Sequence, residues 1–274
     1  MNTTPILVLG GTGKTGRHVV DALVRRGHRV RAVSRSTSPR FDWHDRDTWK
    51  EALSGVGAVY IVEPDDGPVP LGEFSRLAVE AGVVRQVLLS ARSRDDIHVA
   101  LKGASEAAVR ESGAEWTMLR PAWFHQNFTE LPMFTESLAA GELRLPTGEG
   151  REPFIDARDI GEVAAEALTA PGHAGKVYEL TGPQSLTFAE AVALVGGATG
   201  RELRFRAVSE EDYATDLLAA GLPEEHHEMF IGLFRVIREG RAEGETGDVR
   251  EVLGREPRSF AAWLAEDVEV TRGG

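Results

Sequence analysis

The sequence of 274 residues predicts an α/β fold built on a doubly wound parallel sheet, and three observations support this. Short apolar runs alternate with helix-like segments over the first 121 residues. The first run, Ile6 to Leu9, is continuously apolar, which is typical of a strand buried on both faces. Glycines follow this run at once, and a helical pattern begins after them. Strands and helices that alternate at this spacing form parallel sheets with helices on both faces.

The first half of the chain is predicted to hold five strands and four helices. The strands cover residues 6–9, 29–33, 58–62, 86–89 and 116–119, and the helices cover 14–26, 47–53, 71–81 and 99–111. Right-handed crossovers between them predict the sheet order 3-2-1-4-5. The connection after the second strand is short and leaves little room for a full helix before Phe41 to Asp45.

The second half of the chain has a less regular pattern. Helices at 131–140, 156–168, 188–195, 210–220, 224–239 and 259–268 and short strands at 142–145, 177–180 and 203–208 are predicted there. We expect this part to form a smaller α+β substrate cap. The predicted division is 1–121 for the sheet domain and 122–274 for the cap, continuous in structure and with one cleft between them.

The composition excludes several classes of protein. A net charge of −12 argues against a nucleic-acid surface, and the absence of cysteine rules out disulfides and thiol catalysis. The run His226, His227 and Glu228 has no matching ligand at metal-binding spacing. No apolar run approaches the ~20 residues of a membrane span, and no signal peptide is visible. We expect a cytoplasmic monomer or homodimer that binds a small molecule, without a metal.

A glycine-rich turn joins the first strand to the first helix. Residues 11–16 fit G-x-G-x-x-G, and Gly10, Gly13 and Gly16 recur at every third position. A strand, a glycine turn and a helix in this order indicate a dinucleotide-binding site, where the bare backbone can approach a pyrophosphate. The residues expected to bind the cofactor at this turn are Gly10, Thr12, Gly13, Lys14, Thr15 and Gly16.

Two other interpretations of this turn remain open. Gly13, Lys14 and Thr15 match the end of a P-loop, but that motif requires a glycine where Val8 stands inside the strand. The second is a structural turn that binds no ligand.

The end of the second strand predicts which dinucleotide binds. NAD-binding proteins usually carry Asp or Glu there, about 20 residues after the glycines. Ser34, Arg35 and Ser36 occupy this place, and none of them is an acid. Because arginine binds a 2′-phosphate through charge-assisted hydrogen bonds, Ser34 and Arg35 predict NADP(H), with Arg40 as a supporting cation. A solvated loop arginine is the alternative.

Candidate catalytic residues follow the fourth strand. This strand ends at Ser90, where a nicotinamide ring is expected, and the next predicted helix carries His98 and Lys102 at i,i+4 spacing. Short-chain dehydrogenases commonly have Tyr-x-x-x-Lys on this helix, but none of the three tyrosines lies there. We expect Lys102 to bind the nicotinamide ribose or to polarise the substrate, and His98 to donate a proton. An exposed helix lysine and a surface histidine are the alternatives.

Aromatic and amide side chains after the fifth strand suit the wall of a substrate pocket. Trp123, Phe124, Asn127 and Phe128 stand just past the strand end, and Phe154 adds to them from the predicted cap. Packing in a core beneath the cap is the alternative for the same rings.

Several separated segments together resemble the NmrA-like branch of atypical short-chain dehydrogenases/reductases. They are GGTGKTGRHVVDAL, FDWHD, VYIVEP, RQVLLSA, EWTMLRPAWFHQNF, PFIDARDIGEVAAEAL and YELTGP, and they span most of the chain. The short FDWHD segment and the end of the chain are most similar to the subgroup that includes the ergot-alkaloid reductases. The resemblance implies a Rossmann-like domain that binds NADP(H) and a substrate pocket under a C-terminal cap.

The resemblance also implies roles for individual residues. Gly10, Gly13 and Gly16 match the pyrophosphate loop of the family, and Arg35 matches its 2′-phosphate arginine. Lys102 stands where the related benzylic-ether and isoflavone reductases have a lysine beside the nicotinamide.

Taken with the motifs, the resemblance predicts an NADPH-dependent reductase of a small apolar metabolite, namely an iminium, an enone or a polarised C=C bond. An iminium needs no catalytic tyrosine, because the substrate itself carries the charge. Relatives of the nucleotide-sensing type bind NADP(H) without catalysis, so a sensor that binds a protein partner is the main alternative. A non-redox isomerase or cyclase on the same fold is the second alternative.

Overall fold

A computed structural model describes residues 4–64, 67–92 and 102–272, and this part of the chain contains ten strands. In chain order they are β1 (Ile6–Leu9), β2 (Val30–Val33), β3 (Ala58–Ile61), β4 (Arg85–Leu89), β5 (Glu115–Pro121), β6 (Glu142–Leu145), β7 (Arg151–Glu152), β8 (Lys176–Leu180), β9 (Leu186–Thr187) and β10 (Arg204–Ala207). Six of them form one parallel sheet in the order β2-β1-β3-β4-β5-β8. The other four form two small sheets, β6 with β10 and β7 with β9.

Twelve helices lie within the described residues. They are α1 (Gly16–Arg25), α2 (Asp47–Leu53), α3 (Leu71–Glu80), α4 (Ala104–Arg110), α5 (Asn127–Glu130), α6 (Pro132–Ala139), α7 (Ala157–Thr169), α8 (Phe188–Thr199), α9 (Glu210–Ala219), α10 (Glu224–Arg238), α11 (Asp248–Leu253) and α12 (Phe260–Arg272). The fold class is therefore the predicted one, a Rossmann-like α/β fold with a doubly wound parallel sheet.

The order of the strands differs from the predicted order 3-2-1-4-5. Strand β3 lies between β1 and β4, and β2 is an edge strand of the described sheet. The connection 34–57 explains the difference, because its helix α2 packs on the opposite face of the sheet from α1. A right-handed crossover on that face leads back past β1 instead of outward beyond β2. The prediction was wrong because it placed both helices on one face.

Alternate residues of each central strand contact different layers of helices. On β1, Ile6 and Val8 face the layer that contains α1 and α7, whereas Leu7 and Leu9 face the layer that contains α2 and α3. Chain beyond residue 121 completes this domain, because α7 and α11 pack on the sheet and β8 pairs with β5. The division at residue 121 stays a prediction, and the six-stranded sheet draws residues from both sides of it.

A third buried cluster lies outside the large sheet and is rich in aromatic rings. Helices α6, α8, α9, α10 and α12 contribute to it, together with the small strands β6 and β9. The rings of Phe154 and Phe188, for example, meet edge to face with their centroids 5.1 Å apart. Such ring pairs add specific geometry to the burial of apolar area. These elements form the α+β layer that the sequence predicts as a cap.

None of the helices in the described residues is long and apolar enough to cross a membrane. The same part of the chain contains no group of three or more His, Cys, Asp or Glu residues that could hold a metal ion.

Gly161 sets how closely α7 can approach α1. A Cβ added at Gly161 would lie 2.7 Å from both the carbonyl carbon and the Cβ of His18. We therefore expect Gly161→Ala to lower the free energy of unfolding by about 1–3 kcal/mol, because the two helices would have to separate. Gly197→Ala on α8 is the control, since a Cβ there meets nothing within 4 Å. Urea denaturation of both variants tests this, and an equal loss of stability would contradict it.

Candidate functional site

The turn between β1 and α1 depends on a close backbone contact. The N–H of Gly13 donates to the carbonyl oxygen of Gly10 at 2.8 Å, and Gly10 has a φ of 61°. A Cβ at Gly16 would lie 2.1 Å from that same oxygen, so any side chain at Gly16 would displace the turn. The N-cap residue Thr15 makes no side-chain capping hydrogen bond. This helix start is therefore suited to an anion bound by backbone N–H groups.

Thr15 directs its side chain into the protein instead of toward the helix start. Its buried hydroxyl accepts a hydrogen bond from the hydroxyl of Tyr60 at 2.9 Å. Burial raises the pKa of Tyr60, which keeps this donor protonated. A cofactor contact by Thr15 stays a prediction.

A cleft of about 310 Å³ lies beside this turn. Its walls come from the ends of β1, β2 and β3 and from residues 41–44. The lining residues are Gly10, Thr12, Gly13, Ser34, Arg35, Ser36, Phe41, Asp42, Trp43, His44, Val62, Glu63 and Pro64. Five of the residues predicted to bind a cofactor are among them, namely Gly10, Thr12, Gly13, Ser34 and Arg35. Ligands bind where neighbouring strands of a doubly wound sheet lead to opposite faces, which here is between β1 and β3.

The segment Phe41 to His44 forms a wall of the cleft that sequence reasoning missed. Phe41 and Trp43 are buried edge to face, with centroids 5.2 Å apart, and the Trp43 indole donates to the Val62 carbonyl at 3.2 Å. The signal in the sequence is the pair of aromatic residues in a stretch that leaves little room for a full helix between β2 and Phe41.

Asp42 and Arg40 form an ion pair at the same wall. The Arg40 Nη2 lies 2.7 Å from Asp42 Oδ2, and Asp42 lines the cleft. A hydrogen bond from the backbone N–H of His44, together with the Arg40 charge, holds the pKa of Asp42 below its usual value. Arg40, which is predicted to support binding of the 2′-phosphate, therefore also pairs with the Asp42 carboxylate.

Lys14 links the glycine turn to the segment predicted to contact the substrate. Its Nζ donates to Asn127 Oδ1 at 2.8 Å and lies 6.0 Å from the centroid of the Phe124 ring. The structure therefore brings one cofactor candidate and two substrate candidates together at the start of α5.

Lys102 contacts a carboxylate in the cleft that sequence reasoning also missed. Its Nζ lies 3.0 Å from Glu63 Oε2, and the Ser105 hydroxyl donates to Glu63 Oε1 at 2.8 Å. Glu63 follows β3 and lines the cleft, so the Lys102 charge lies next to one residue of the cleft wall, although Lys102 itself does not line the cleft. His98, the other predicted catalytic residue, lies outside the described residues.

The hydroxyl of Ser90 is bonded to a buried carboxylate. Ser90 Oγ donates to Glu106 Oε1 at 2.7 Å, and Arg120 donates to both oxygens of the same carboxylate at 2.8 and 2.7 Å. Ser90 and Glu106 are both buried. A cofactor contact by Ser90 stays a prediction, with its hydroxyl already engaged in this network.

The predicted substrate residues fall into two groups. Trp123 and Phe124 are half-buried, and Trp123 stacks on Phe134 with a centroid distance of 5.9 Å and an interplanar angle of 3°. Phe128 and Phe154 are buried in the cap cluster, 5.4 Å apart by ring centroids. Phe128 and Phe154 therefore make the contacts expected of core residues beneath the cap. A substrate role for either ring stays a prediction.

His125 and Gln126 anchor this segment to α7. Gln126 Nε2 donates to Asp156 Oδ1 at 3.0 Å, and its Oε1 accepts the N–H of Ala157 at 2.9 Å. A ring nitrogen of His125 bonds to the Phe154 carbonyl at 2.9 Å, and burial lowers the pKa of His125 to about 4. His125 is therefore neutral at physiological pH and holds the segment in place.

Substitutions at Gly13 and Gly16 are expected to have different effects, on cofactor binding at Gly13 and on folding at Gly16. We expect Gly13→Val to abolish dinucleotide binding and to leave the fold intact, because Gly13 lines the cleft and a Cβ there would meet only the Gly10 oxygen, at 3.1 Å. Gly16→Val is the matched variant, and it should lose secondary structure because its Cβ would collide with backbone. Circular dichroism and cofactor fluorescence distinguish the two. A folded Gly13→Val protein that still binds NADPH would contradict the assignment of the turn.

The contact between Lys102 and Glu63 predicts a coupling in dinucleotide binding. Lys102→Ala should weaken NADPH binding by about tenfold, because the Glu63 carboxylate would remain uncompensated beside an anionic ligand. Combining it with Glu63→Gln should restore most of the lost affinity. Calorimetric titration of both single variants and the double variant measures this coupling. If the double variant binds as weakly as Lys102→Ala, Lys102 contacts the cofactor directly, as a ribose anchor would. Unchanged affinity in Lys102→Ala would contradict both roles.

The profile of the NmrA-like family matches residues 2–264. The oxidoreductase YesF of Bacillus subtilis (strain 168) is 34% identical over 97% of this chain and 96% of its own length. The NAD(P)H azoreductase of Xenophilus azovorans is 33% identical, covering 93% of this chain and 95% of its own. Agroclavine dehydrogenase of Claviceps fusiformis is 30% identical, covering 97% and 98%. This last relative confirms the resemblance to the ergot-alkaloid reductases.

Solved structures share the fold over the full length. Citrobacter sp. triphenylmethane reductase complexed with NADP(H) is 21% identical with a TM-score of 0.78, covering 96% of this chain and 99% of that one. The NADPH-dependent quinone oxidoreductase of Escherichia coli complexed with NADPH is 21% identical with a TM-score of 0.79, covering 95% and 99%. With the fold and the profile in agreement, the chain belongs to the NmrA-like family.

Proposed function

We propose that this protein is an NADPH-dependent reductase of a small apolar metabolite, namely an iminium, an enone or a polarised C=C bond. One observation carries the proposal. The cleft between β1 and β3 combines the glycine turn with Arg35, and the end of β2 has no acid. The names of the relatives agree, since an azoreductase and a dehydrogenase are both redox enzymes.

The residues of the cleft fit an NADP(H) molecule. Backbone groups from Gly10 to Gly16 suit the pyrophosphate, because four of these seven residues are glycines and leave the backbone N–H groups accessible. Arg35 suits the 2′-phosphate, and Lys102 suits the nicotinamide ribose or a polarised substrate. When bound, the cofactor supplies a hydride.

The substrate is proposed to lie between the carboxyl ends of the sheet strands and the cap. Trp123 and Phe124 are half-buried there, and Lys14 and Asn127 add a polar pair beside them. Apolar walls with a few fixed polar groups are typical of small-molecule sites.

The contacts of the tyrosines support hydride transfer without a catalytic tyrosine. The hydroxyl of Tyr60 bonds to Thr15, that of Tyr178 to His173, and that of Tyr213 to a methionine sulfur. These are the three tyrosines of the chain, and the structure describes all of them. The proton required by a carbonyl-conjugated substrate must then come from another group.

A panel of acceptors tests the proposed activity. NADPH oxidation is followed by its absorbance with an enone, a quinone and an iminium, each against a control without protein. We expect turnover with at least one of these acceptors, and we expect the rate to saturate with both NADPH and that acceptor. Tight NADPH binding with no turnover across the panel would favour the sensor, and product formed without NADPH oxidation would favour the isomerase or cyclase.

The choice of cofactor depends on Arg35. A charge-assisted hydrogen bond is worth roughly 1.5–3 kcal/mol, so NADPH should bind about 10- to 150-fold more tightly than NADH. Arg35→Ala should remove this preference. Arg46→Ala is the control, because it removes the same charge from a side chain that pairs with Glu73. Calorimetric titration with both cofactors measures the ratio, and an unchanged ratio in Arg35→Ala would make Arg35 only a solvated arginine.

A further inference from the structure

A second, smaller cavity lies where the chain leaves β4 and β5. Its volume is about 30 Å³, which is enough for one water molecule. Arg92, Trp123 and Glu152 form its polar side. The remaining walls come from α10 and the turn after it, and they are Leu233, Val236, Ile237, Arg241 and Ala242.

Glu152 is the acid of this cavity. Its side chain is on β7 and is only 2% exposed, and its Oε1 accepts the N–H of Trp123 at 3.0 Å. Burial raises the pKa of Glu152 to about 7, because the hydrogen bond from Trp123 and the charge of Arg92 offset the desolvation only in part. A carboxyl group with this pKa can both give and take a proton near neutral pH.

Arg92 provides a fixed donor beside the acid. Its side chain is 5% exposed, and its guanidinium donates to the carbonyls of Ala242 and Gly244, at 2.8 Å each. Its Nε lies 3.4 Å from Glu179 on β8. Arg92 after β4 and Arg241 after α10 are the charged side chains that line the cavity with Glu152, and the carboxylates of Glu179 and Glu245 interact with the Arg92 charge. A water in the cavity would have the acid and the guanidinium as polar partners.

The cavity and the dinucleotide cleft both lie at the carboxyl ends of the sheet strands. The N–H of Arg92 donates to the Pro121 carbonyl at 2.8 Å, so both residues mark the carboxyl ends of β4 and β5. Strand β4 is the neighbour of β3, whose end supplies Val62 and Glu63 to the cleft. Trp123 lines the cavity and is also half-buried in the segment proposed for the substrate.

We propose that Glu152, through a water held in this cavity, is the proton source of the reaction, and that the substrate is an enone or another C=C bond conjugated to a carbonyl. This inference rests on the proposed function. A hydride adds to the β-carbon, and the electron pair of the C=C bond moves toward the carbonyl as an enolate. The water passes a proton to the α-carbon and takes the Glu152 proton in exchange, and the carboxylate recovers a proton from solvent. An iminium accepts a hydride without any proton, so it does not use this group.

Infrared spectroscopy tests the proton on Glu152 without substrate or cofactor. The wild-type protein should show the carbonyl stretch of a protonated carboxylic acid that disappears as pH rises through about 7. Glu152→Gln should lack this band and keep the fold, because the amide oxygen still accepts the Trp123 N–H. Glu115→Gln is the control, since Glu115 pairs with Arg85 at the other end of β5. A carboxylate that is ionised throughout this pH range would overturn the proposal.

Kinetics on the same variants test the delivery of the proton. The protonated acid is the active form, so kcat for the best enone should fall as pH rises through about 7 in the wild-type protein. Glu152→Gln should lower that kcat by about 100-fold or more, remove this pH dependence and leave the KM for NADPH unchanged. Turnover of an iminium should not fall as pH rises through about 7 in the wild-type protein, and it should be the same in Glu152→Gln.

Three kinetic outcomes would also overturn the proposal, and they are distinguishable. An unchanged pH profile in Glu152→Gln leaves the reductase in place and reduces Glu152 to an anchor for Trp123. Turnover of iminium substrates alone contradicts the substrate class. No turnover of any acceptor removes the proposed function, and the delivery role with it, even where the infrared band titrates.

Discussion

The approach of Gly16 to the carbonyl oxygen of Gly10 constrains the whole site. A Cβ at Gly16 would lie 2.1 Å from that oxygen, so β1 and α1 can meet this closely only through glycine. The contact involves the first residue of α1, and Gly161 on α7 permits a second close approach to the same helix. The cleft exists because the chain turns this sharply at the end of β1.

The connection 34–57 sets both the strand order and the cleft wall. It carries one helix of seven residues, which packs on the face opposite α1 and brings β3 next to β1. Its remaining residues place Phe41 and Trp43 beside the glycine turn. Because the connection is short and β3 lies next to β1, Glu63 after β3 lines the cleft and pairs with Lys102.

Local patterns predicted the fold class and singled out five residues that line the cleft, because a strand, a glycine turn and a cation after the second strand are all set by spacing along the chain. The sequence could not indicate contacts between distant residues. The position of Lys102 on its predicted helix indicates a role for this residue, but its partner Glu63 stands 39 residues earlier, and no local pattern joins the two. Glu152 likewise gains its role only when β7 packs against Trp123. Ser90 stands at the end of the fourth strand, where a nicotinamide is expected, but its hydroxyl donates to the buried Glu106.

The most direct measurement of the central claim follows the hydride itself. NADPH carrying deuterium at C4, on either face in separate reactions, is turned over with the best enone or iminium acceptor, whose product keeps the transferred hydride on carbon, and the product is analysed by mass spectrometry. We predict that one of the two cofactors transfers a single deuterium to carbon in the product. A reduced product without deuterium from either cofactor would contradict direct hydride transfer from a dinucleotide in this cleft.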